Sequence, residues 1–290
     1  MFESMSWGKR NRLYQIVNQR DNRCLMLAID HGYFMGPTHG MEFPHEDTAN
    51  LIPYIDSLML SPGILSTCID PQTRGIGWVL RATGGNSVLD VDIDDEGLIL
   101  EAEEAVRLNA SGVAVSIYVG AEHQHQTLLN LSKMINDASK FNLPVLGVTA
   151  VGKRLSDKRE KRYLSLASRI AAEYGADIVK TYYCEGFEEV VQKCPVPIVV
   201  AGGARLDTYR DVLELTYNSI QCGAIGVDMG RNIWQSEYPA AIIQAVRAII
   251  HEGANVKQAA EMVESLSTEA NRRKPRFSIS DEDNKISSVH

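Results

Sequence analysis

One lysine, Lys180, stands at the end of a short apolar run in the second half of the chain and is followed by two tyrosines. A lysine is costly to bury, so at this place it either reaches solvent, pairs with a carboxylate or serves chemistry. A neutral lysine amine can add to a ketone and form an imine, which draws electrons from the adjacent C–C bond. The position therefore predicts a Schiff-base nucleophile, with a solvated or ion-paired lysine as the alternative.

The residues that could assist Lys180 also follow apolar runs. A free lysine has a pKa of about 10.4, so the amine needs an apolar pocket and a nearby cation, and Arg81 is the predicted cation. Asp30 is the best candidate for proton transfer or iminium stabilisation. The predicted substrate-binding residues are His31, Arg81, Tyr118, Lys153 and Tyr182. Taken singly, a turn or a half-buried strand explains most of them equally well.

These residues must be positioned by a scaffold in which short apolar runs alternate with helical patterns about eight times. The runs are apolar throughout, as parallel strands covered on both faces are. The predicted strands are 24–30, 57–61, 78–82, 112–119, 144–149, 177–181, 196–201 and 224–228, and the clearest helices are 101–109, 123–141, 159–174, 186–193, 207–221 and 238–251. Eight such units, with no G-x-G-x-x-G after the first strand, predict an α/β fold of the (β/α)8 TIM barrel type.

The 290 residues suit one barrel with short additions at both ends. We predict an N-terminal extension over 1–23, a catalytic barrel over 24–254, and a C-terminal helix with a charged tail over 255–290. No Pro/Gly/Ser-rich linker divides the barrel segment. Gly175 and Gly223 fall where helices need a C-terminal stop.

Two glycine-containing turns follow the seventh and eighth predicted strands, where barrels commonly bind phosphate. Glycine lets backbone N–H groups approach phosphate oxygens, and an arginine supplies charge and paired donors. The predicted phosphate-binding residues are Gly202, Gly203, Arg205, Gly230 and Arg231. The expected ligand is a phosphorylated metabolite.

Composition restricts the partners. A net charge of -8 gives the long-range field the wrong sign for nonspecific binding to nucleic acid or anionic membranes. The start of the chain lacks the apolar core of a signal peptide, and no stretch is long and apolar enough to span a membrane, so we expect a cytoplasmic protein. Five cysteines without a C-x-x-C pair indicate reduced thiols.

Several longer motifs make a family recognisable. They are Met26-Leu-Ala-Ile-Asp-His-Gly-Tyr-Phe34, Val79-Leu-Arg81, Gly175-Ala-Asp-Ile-Val-Lys-Thr-Tyr-Tyr183, Pro195-Val-Pro-Ile-Val-Val-Ala-Gly-Gly203 and Gly226-Val-Asp-Met-Gly-Arg-Asn-Ile-Trp-Gln235. The chain resembles the class I (Schiff-base) aldolases of the DeoC/archaeal fructose-bisphosphate aldolase type. The resemblance implies a TIM barrel, an imine-forming Lys180, Asp30 as its acidic partner, and a ring-shaped homo-oligomer, with a decamer as one form.

Within that family the chain is most similar to members with thiolase chemistry. In the archaeal aldolases a Trp-x-Tyr pair closes the fifth strand and supplies an acid/base tyrosine, whereas this chain has Val148-Thr149-Ala150. The resemblance therefore implies transfer of an acetyl group from a phosphorylated dione to coenzyme A, which would be a co-substrate rather than a bound cofactor. The family pattern after the second strand also differs, with Pro62 where an arginine is usual.

Four alternatives remain open. A class I aldolase would cleave a ketose (bis)phosphate to dihydroxyacetone phosphate and an aldehyde. A metal-dependent aldolase would need ligands from His31, His39, His45, His123 and His125, whose spacing matches no known zinc site, and we predict no metal. Cys184 could act as in the cysteine thiolases, but nothing nearby in sequence indicates a low pKa. The missing tyrosine also allows a noncatalytic phosphometabolite-binding protein.

Overall fold

The computed structural model describes residues 1–90, 93–150 and 160–273. The strands are β1 Cys24–Ala28, β2 Ser57–Leu60, β3 Gly77–Arg81, β4 Thr83–Gly84, β5 Gly97–Leu98, β6 Gly112–Ile117, β7 Val145–Thr149, β8 Ile178–Tyr182, β9 Ile198–Ala201 and β10 Gly226–Met229. The α-helices are α1 Trp7–Ile16, α2 Gly32–Met35, α3 Pro44–Ala49, α4 Pro62–Cys68, α5 Ala102–Arg107, α6 Gln124–Ser139, α7 Lys161–Tyr174, α8 Phe187–Lys193, α9 Tyr209–Gln221, α10 Arg231–Trp234, α11 Pro239–Glu252 and α12 Val256–Arg273.

Eight of the strands form a closed parallel barrel in the order β1-β10-β9-β8-β7-β6-β3-β2. Parallel pairing of Cys24 with Gly226 closes the barrel between the first and last strands. Strands β4 and β5 lie outside it as a short antiparallel pair. The predicted TIM barrel is therefore confirmed, and each of its eight strands overlaps a predicted one.

The described residues form two separate apolar cores, as expected when successive side chains of a strand point to opposite faces. One core lies between the strands and the surrounding helices and includes Leu80, Val179 and Val227. The other fills the barrel interior, where Met26 and Ile178 pack with Ile16 of α1. The predicted N-terminal extension thus supplies buried side chains to the barrel interior through α1.

Local sequence explains where α7 ends and where α9 begins. Gly175 has φ of 106° and caps the C-terminus of α7, a left-handed conformation that glycine adopts without steric cost. Helix α9 begins with a capping box in which Thr208 and Asp211 exchange side-chain and backbone hydrogen bonds. The predicted stop at Gly175 is confirmed.

The structure also corrects the sequence interpretation. Lys180 is the third of the five residues of β8, and the strand continues through Tyr182, one residue beyond its predicted end. The short helices α2, α3 and α4 and the β4-β5 pair were missed, since elements of two to seven residues leave little periodic signal. No helix among the described residues has the length and apolar character needed to cross a bilayer.

A buried histidine joins the C-terminal half of the barrel to its start. The ring nitrogens of His251 lie 2.7 Å from Oδ2 of Asp21 and 2.9 Å from Oδ2 of Asp56. Only the imidazolium, with two N–H donors, satisfies both carboxylates. Burial opposes the charge, but the hydrogen bonds to Asp56 and Asp21 raise the pKa of His251 above its ordinary value of 6.5.

We expect His251→Asn to lower the free energy of unfolding by roughly 1–3 kcal/mol at about pH 6, where the wild-type imidazolium is fully formed. Because the folded-state pKa is raised, this contribution is complete below the ordinary pKa and decreases as the pH rises through the folded value. Urea titrations of both proteins between about pH 6 and pH 9 would measure it. A stability difference that does not change with pH would contradict this assignment.

Candidate active site

A cavity of about 330 Å³ opens at the C-terminal mouth of the barrel. Most of the predicted site residues line it, namely Asp30, His31, Arg81, Tyr118, Lys180, Tyr182, Gly202, Gly203, Gly230 and Arg231. They come from six different barrel strands or the turns that follow them, so the closed sheet brings together residues far apart in sequence. Lys153, which was also predicted, lies outside the described residues.

Lys180 projects into this cavity and is only 8% exposed. Its Nζ lies 2.8 Å from Oδ2 of Asp228, a residue of β10 that is 1% exposed. The contact is an ion pair rather than a well-directed hydrogen bond, and Oδ1 of Asp228 has no hydrogen-bond partner among the described residues. The alternative of a solvated lysine is thus wrong, while pairing with a carboxylate is observed.

Asp30 is held by a different cation. The guanidinium of Arg81 donates to Oδ2 of Asp30 from both Nε, at 2.8 Å, and Nη2, at 2.6 Å. Burial alone would raise the pKa of Asp30, but the charges of Arg81 and Lys180 and the hydrogen bonds from Arg81 bring it below its ordinary value. Asp30 is therefore a carboxylate at neutral pH. The predicted role of Arg81 as a cation acting on Lys180 is modified, because its direct partner is Asp30.

A polar cluster forms the wall beside Arg81. The phenol oxygens of Tyr33 and Tyr118 lie 2.7 Å and 3.3 Å from Oε1 of the buried Glu96, and the Arg81 guanidinium lies over the Tyr33 ring at 5.2 Å. Burial and the Glu96 charge raise the pKa of both phenols. Both tyrosines are therefore protonated and donate hydrogen bonds. Nη1 of Arg81 also donates to Ser116.

The two predicted phosphate-binding turns lie side by side. Asn232 connects them, since its Nδ2 donates to the carbonyls of Gly202 and Ala204 and its Oδ1 accepts from the N–H of Leu206. A side chain at Gly230 would place Cβ 2.5 Å from the Ala28 carbonyl oxygen, which explains the glycine. The turns thus form a glycine-lined concave surface, as phosphate oxygens require.

Of the two arginines predicted to bind phosphate, only Arg231 lines the Lys180 cavity. Its Nη2 donates to the Gly203 carbonyl at 3.1 Å, and its buried Nε has no hydrogen-bond partner among the described residues. Arg205 instead lines a neighbouring cavity of about 310 Å³ beside α12, which Arg231 also borders. Gly203 has a left-handed backbone conformation, with φ of 71°. Arg205, two residues further along the chain, is exposed.

His31 lies between Asp30 and Trp234 at the cavity wall. Burial and the neighbouring cations outweigh the Asp30 charge and lower the pKa of His31 to about 4. Its imidazole is therefore neutral at neutral pH, available to accept or donate one hydrogen bond. Its buried Nδ1 has no hydrogen-bond partner within the described part of the chain.

Of the histidines behind the metal hypothesis, His31 lines the Lys180 cavity and the others do not. His39 is near Glu42, His45 contacts the Cys68 carbonyl, and His123 is near Asp95, so these histidines do not converge. No group of three or more His, Cys, Asp or Glu side chains is arranged to hold a metal ion within residues 1–90, 93–150 and 160–273.

Cys184 does not line the Lys180 cavity. Burial raises the pKa of its thiol, which is the opposite of what a nucleophilic cysteine needs. The arrangement therefore favours lysine over cysteine chemistry.

Known proteins have sequences similar to that of this chain. The DeoC/LacD family aldolase profile matches residues 24–236. The 3-hydroxy-5-phosphonooxypentane-2,4-dione thiolase of Yersinia pseudotuberculosis is 47% identical over 260 residues, which cover 89% of this chain and 88% of the relative. The protein of the same name from Photorhabdus laumondii is 45% identical over the same shares of both chains.

Solved structures share the fold. An archaeal fructose 1,6-bisphosphate aldolase superposes with a TM-score of 0.75 at 25% identity, covering 84% of this chain and 100% of the other. A further archaeal aldolase structure, with its catalytic lysine covalently bound to a carbinolamine intermediate, superposes with a TM-score of 0.73 at 25% identity over 83% and 99% of the two chains. The fold and these relatives define an enzyme of the class I aldolase type. The chain belongs to the DeoC/LacD aldolase family, which confirms the resemblance.

Sequence reasoning assigned no role to three residues, of which Asp228 and Tyr33 line the cavity and Glu96 contacts its wall. Asp228 was read only as the end of a strand, although an aspartate inside an apolar run is itself a signal of a buried charge. Glu96 and Tyr33 carry no local signal, because a short strand pair and a one-turn helix bring them to the mouth. Their role depends on tertiary contacts that periodicity does not encode.

We expect Arg231→Gln to weaken binding of dihydroxyacetone phosphate about 10- to 100-fold, the effect of losing a charged hydrogen bond. Arg205→Gln is the matched control and should change the dissociation constant less than about threefold, since Arg205 lines the other cavity. Calorimetric titration would measure both, with unphosphorylated dihydroxyacetone as a test of general damage. Equal losses in the two variants would contradict the separation of the two arginines.

Proposed function

We propose that this enzyme breaks a C–C bond in a phosphorylated ketone through a Schiff base on Lys180, and that its substrate is a phosphorylated dione whose acetyl group passes to coenzyme A. The observation that carries the proposal is the placement of Lys180. Its amine lies inside a cavity that also contains the two glycine turns and Arg231. Relatives at 45–47% identity that are named as a phosphorylated-dione thiolase support this substrate class.

The residues of the cavity have complementary tasks in this reaction. The turn residues Gly202, Gly203 and Gly230, with Arg231, bind the phosphate and fix the ketone next to Lys180. The iminium that forms is positive, and the ionised Asp30 stabilises that charge. Protonated Tyr118 and the cation Arg81 are placed to hold the remaining carbonyl and hydroxyl oxygens, with His31 and Tyr182 completing the wall.

Bond cleavage then follows from the electron demand of the iminium. The thiol of coenzyme A adds to the acetyl carbonyl, and the C–C bond breaks with its electron pair moving into the iminium to give an enamine. Protonation and hydrolysis of the enamine release a phosphorylated three-carbon ketone. Coenzyme A enters and leaves as a co-substrate, and the lysine is restored.

Ketose (bis)phosphate cleavage is the second candidate, because archaeal fructose-bisphosphate aldolases share the fold. The end of β7 favours the thiolase reaction instead. Val148, Thr149 and Ala150 line the cavity there, and the Thr149 hydroxyl donates to Thr181 at 2.8 Å. A tyrosine that could accept the proton of the substrate hydroxyl as the C–C bond breaks is missing from this position in the sequence.

The proposed assembly is a ring-shaped homo-oligomer, which the family resemblance supports. Large apolar side chains such as Trp7 and Leu166 are exposed on the isolated chain and offer surface for such contacts. Light scattering on the purified protein would measure the particle mass.

Borohydride treatment in the presence of dihydroxyacetone phosphate should give a stable covalent adduct on the wild-type protein, because reduction traps the imine. Lys180→Ala should give none. Lys133→Ala is the control, since Lys133 is an exposed residue of α6 paired with Asp137, and it should trap as wild type does. Intact-protein mass spectrometry followed by peptide mapping reads the result, and an adduct at any other lysine would refute the assignment.

With the phosphorylated dione and coenzyme A, we expect acetyl-coenzyme A and a three-carbon ketone phosphate in equal amounts. With fructose 1,6-bisphosphate we expect at least ~100-fold lower kcat/KM, because the acid/base group is not at the end of β7. Coupled assays for both products measure the two rates. Faster cleavage of the ketose bisphosphate, with no use of coenzyme A, would replace this proposal with the aldolase reaction.

A further inference from the structure

Two buried aspartates face Lys180, and their surroundings differ. The guanidinium of Arg81 donates two hydrogen bonds, from Nε and Nη2, to one oxygen of Asp30. Asp228 has only the Lys180 ammonium, while its Oδ1 is buried without a hydrogen-bond donor among the described residues. One carboxyl is therefore fixed as an anion, and the other has a free oxygen beside the reactive amine.

The electrostatic environment separates the two carboxyls further. The pKa of Asp30 is lowered, as described above. For Asp228, burial raises the pKa more than the Lys180 charge lowers it, and the negative charge of Asp30 adds to the increase. When two neighbouring titratable groups have their pKa values moved apart, the one with the raised value is suited to carry a proton.

Imine formation requires such a proton carrier. The amine must lose a proton before it attacks, and the carbonyl oxygen must gain protons before it leaves as water. The tyrosine that performs acid/base chemistry in related aldolases has no counterpart in Val148-Thr149-Ala150. Tyr33 and Tyr118 are both hydrogen-bonded to Glu96, on the wall formed with Arg81.

We propose that Asp228 is the acid/base residue of this enzyme, exchanging protons directly with Lys180 and with the substrate oxygen during imine formation and hydrolysis. This assignment rests on the proposed Schiff-base function and extends it. Asp30 keeps a separate task as the fixed counter-charge of the iminium.

The proton transfers balance without an outside donor. Asp228 first accepts a proton from the Lys180 ammonium, and the neutral amine attacks the ketone carbon while the C=O electron pair moves to oxygen. Asp228 returns the proton to that oxygen and takes one from the new C–N⁺ centre, which gives the carbinolamine. The nitrogen lone pair then expels the oxygen as Asp228 protonates it. The ammonium and ketone have become an iminium and one water, and Asp228 is again a carboxylate.

The test compares Asp228→Asn with Asp228→Glu by rapid mixing with dihydroxyacetone phosphate and quenching into borohydride. We expect Asp228→Asn to form the adduct about 100-fold more slowly than wild type, the usual contribution of a general acid/base. Asp228→Glu keeps a carboxyl and should be faster than Asp228→Asn, although it fills the site less well. A purely structural role predicts the reverse order, because the amide has the shape of the carboxylate.

Asp177→Asn is the matched control. Asp177 is another buried aspartate paired with a lysine, since Lys9 Nζ lies 2.8 Å from its Oδ1, but it precedes β8 at the opposite end of the barrel. It should form the adduct at the wild-type rate, and circular dichroism of each variant normalises the rates to folded protein.

Each outcome separates the two proposals. Adduct formation by Asp228→Asn within about threefold of wild type would overturn the acid/base role and leave the Schiff-base function intact. Failure of the wild-type protein to form an adduct would overturn the function itself, and this inference with it.

Discussion

The whole site depends on the cost of keeping charge inside a barrel. Lys180 and Arg81 are both buried, and a cation in such surroundings is stable only with an anion in contact. Asp228 and Asp30 supply the two anions, so the barrel interior holds two cations and two carboxylates that largely balance. This balance lets an amine remain buried, where its chemistry differs from that of an exposed lysine.

The barrel makes the balance feasible because it brings distant strands together. Asp30 follows β1, Arg81 ends β3, Lys180 lies in β8 and Asp228 in β10, and the closed parallel sheet brings all four to one cavity. Closure between β1 and β10 places the two aspartates on neighbouring strands. The predicted phosphate-binding turns follow β9 and β10, and the sheet order β8-β9-β10 places these turns beside Lys180.

The alternation of apolar runs and helical patterns was enough to predict the barrel, because strands covered on both faces have a strong compositional signal. The rule that barrel sites form at strand ends then identified Lys180, Asp30, Arg81 and Arg231 from sequence. The rule also placed Asp228 at the end of the eighth strand, but it assigned this residue no role and did not identify the partner of Arg81. The direction of the side chains across the barrel interior decides which carboxylate pairs with which cation. The linear sequence does not contain these directions. Arg205 shows the same limit, since one left-handed glycine places it beside another cavity.

Helix α1 and the side chains around Ile16 and Met26 fill the lower end of the barrel. Among the described residues, the cavity opens at the C-terminal end of the barrel and not at this filled end. Substrates and products must therefore exchange through the same opening. One product has to leave before the next substrate can occupy the position beside Lys180.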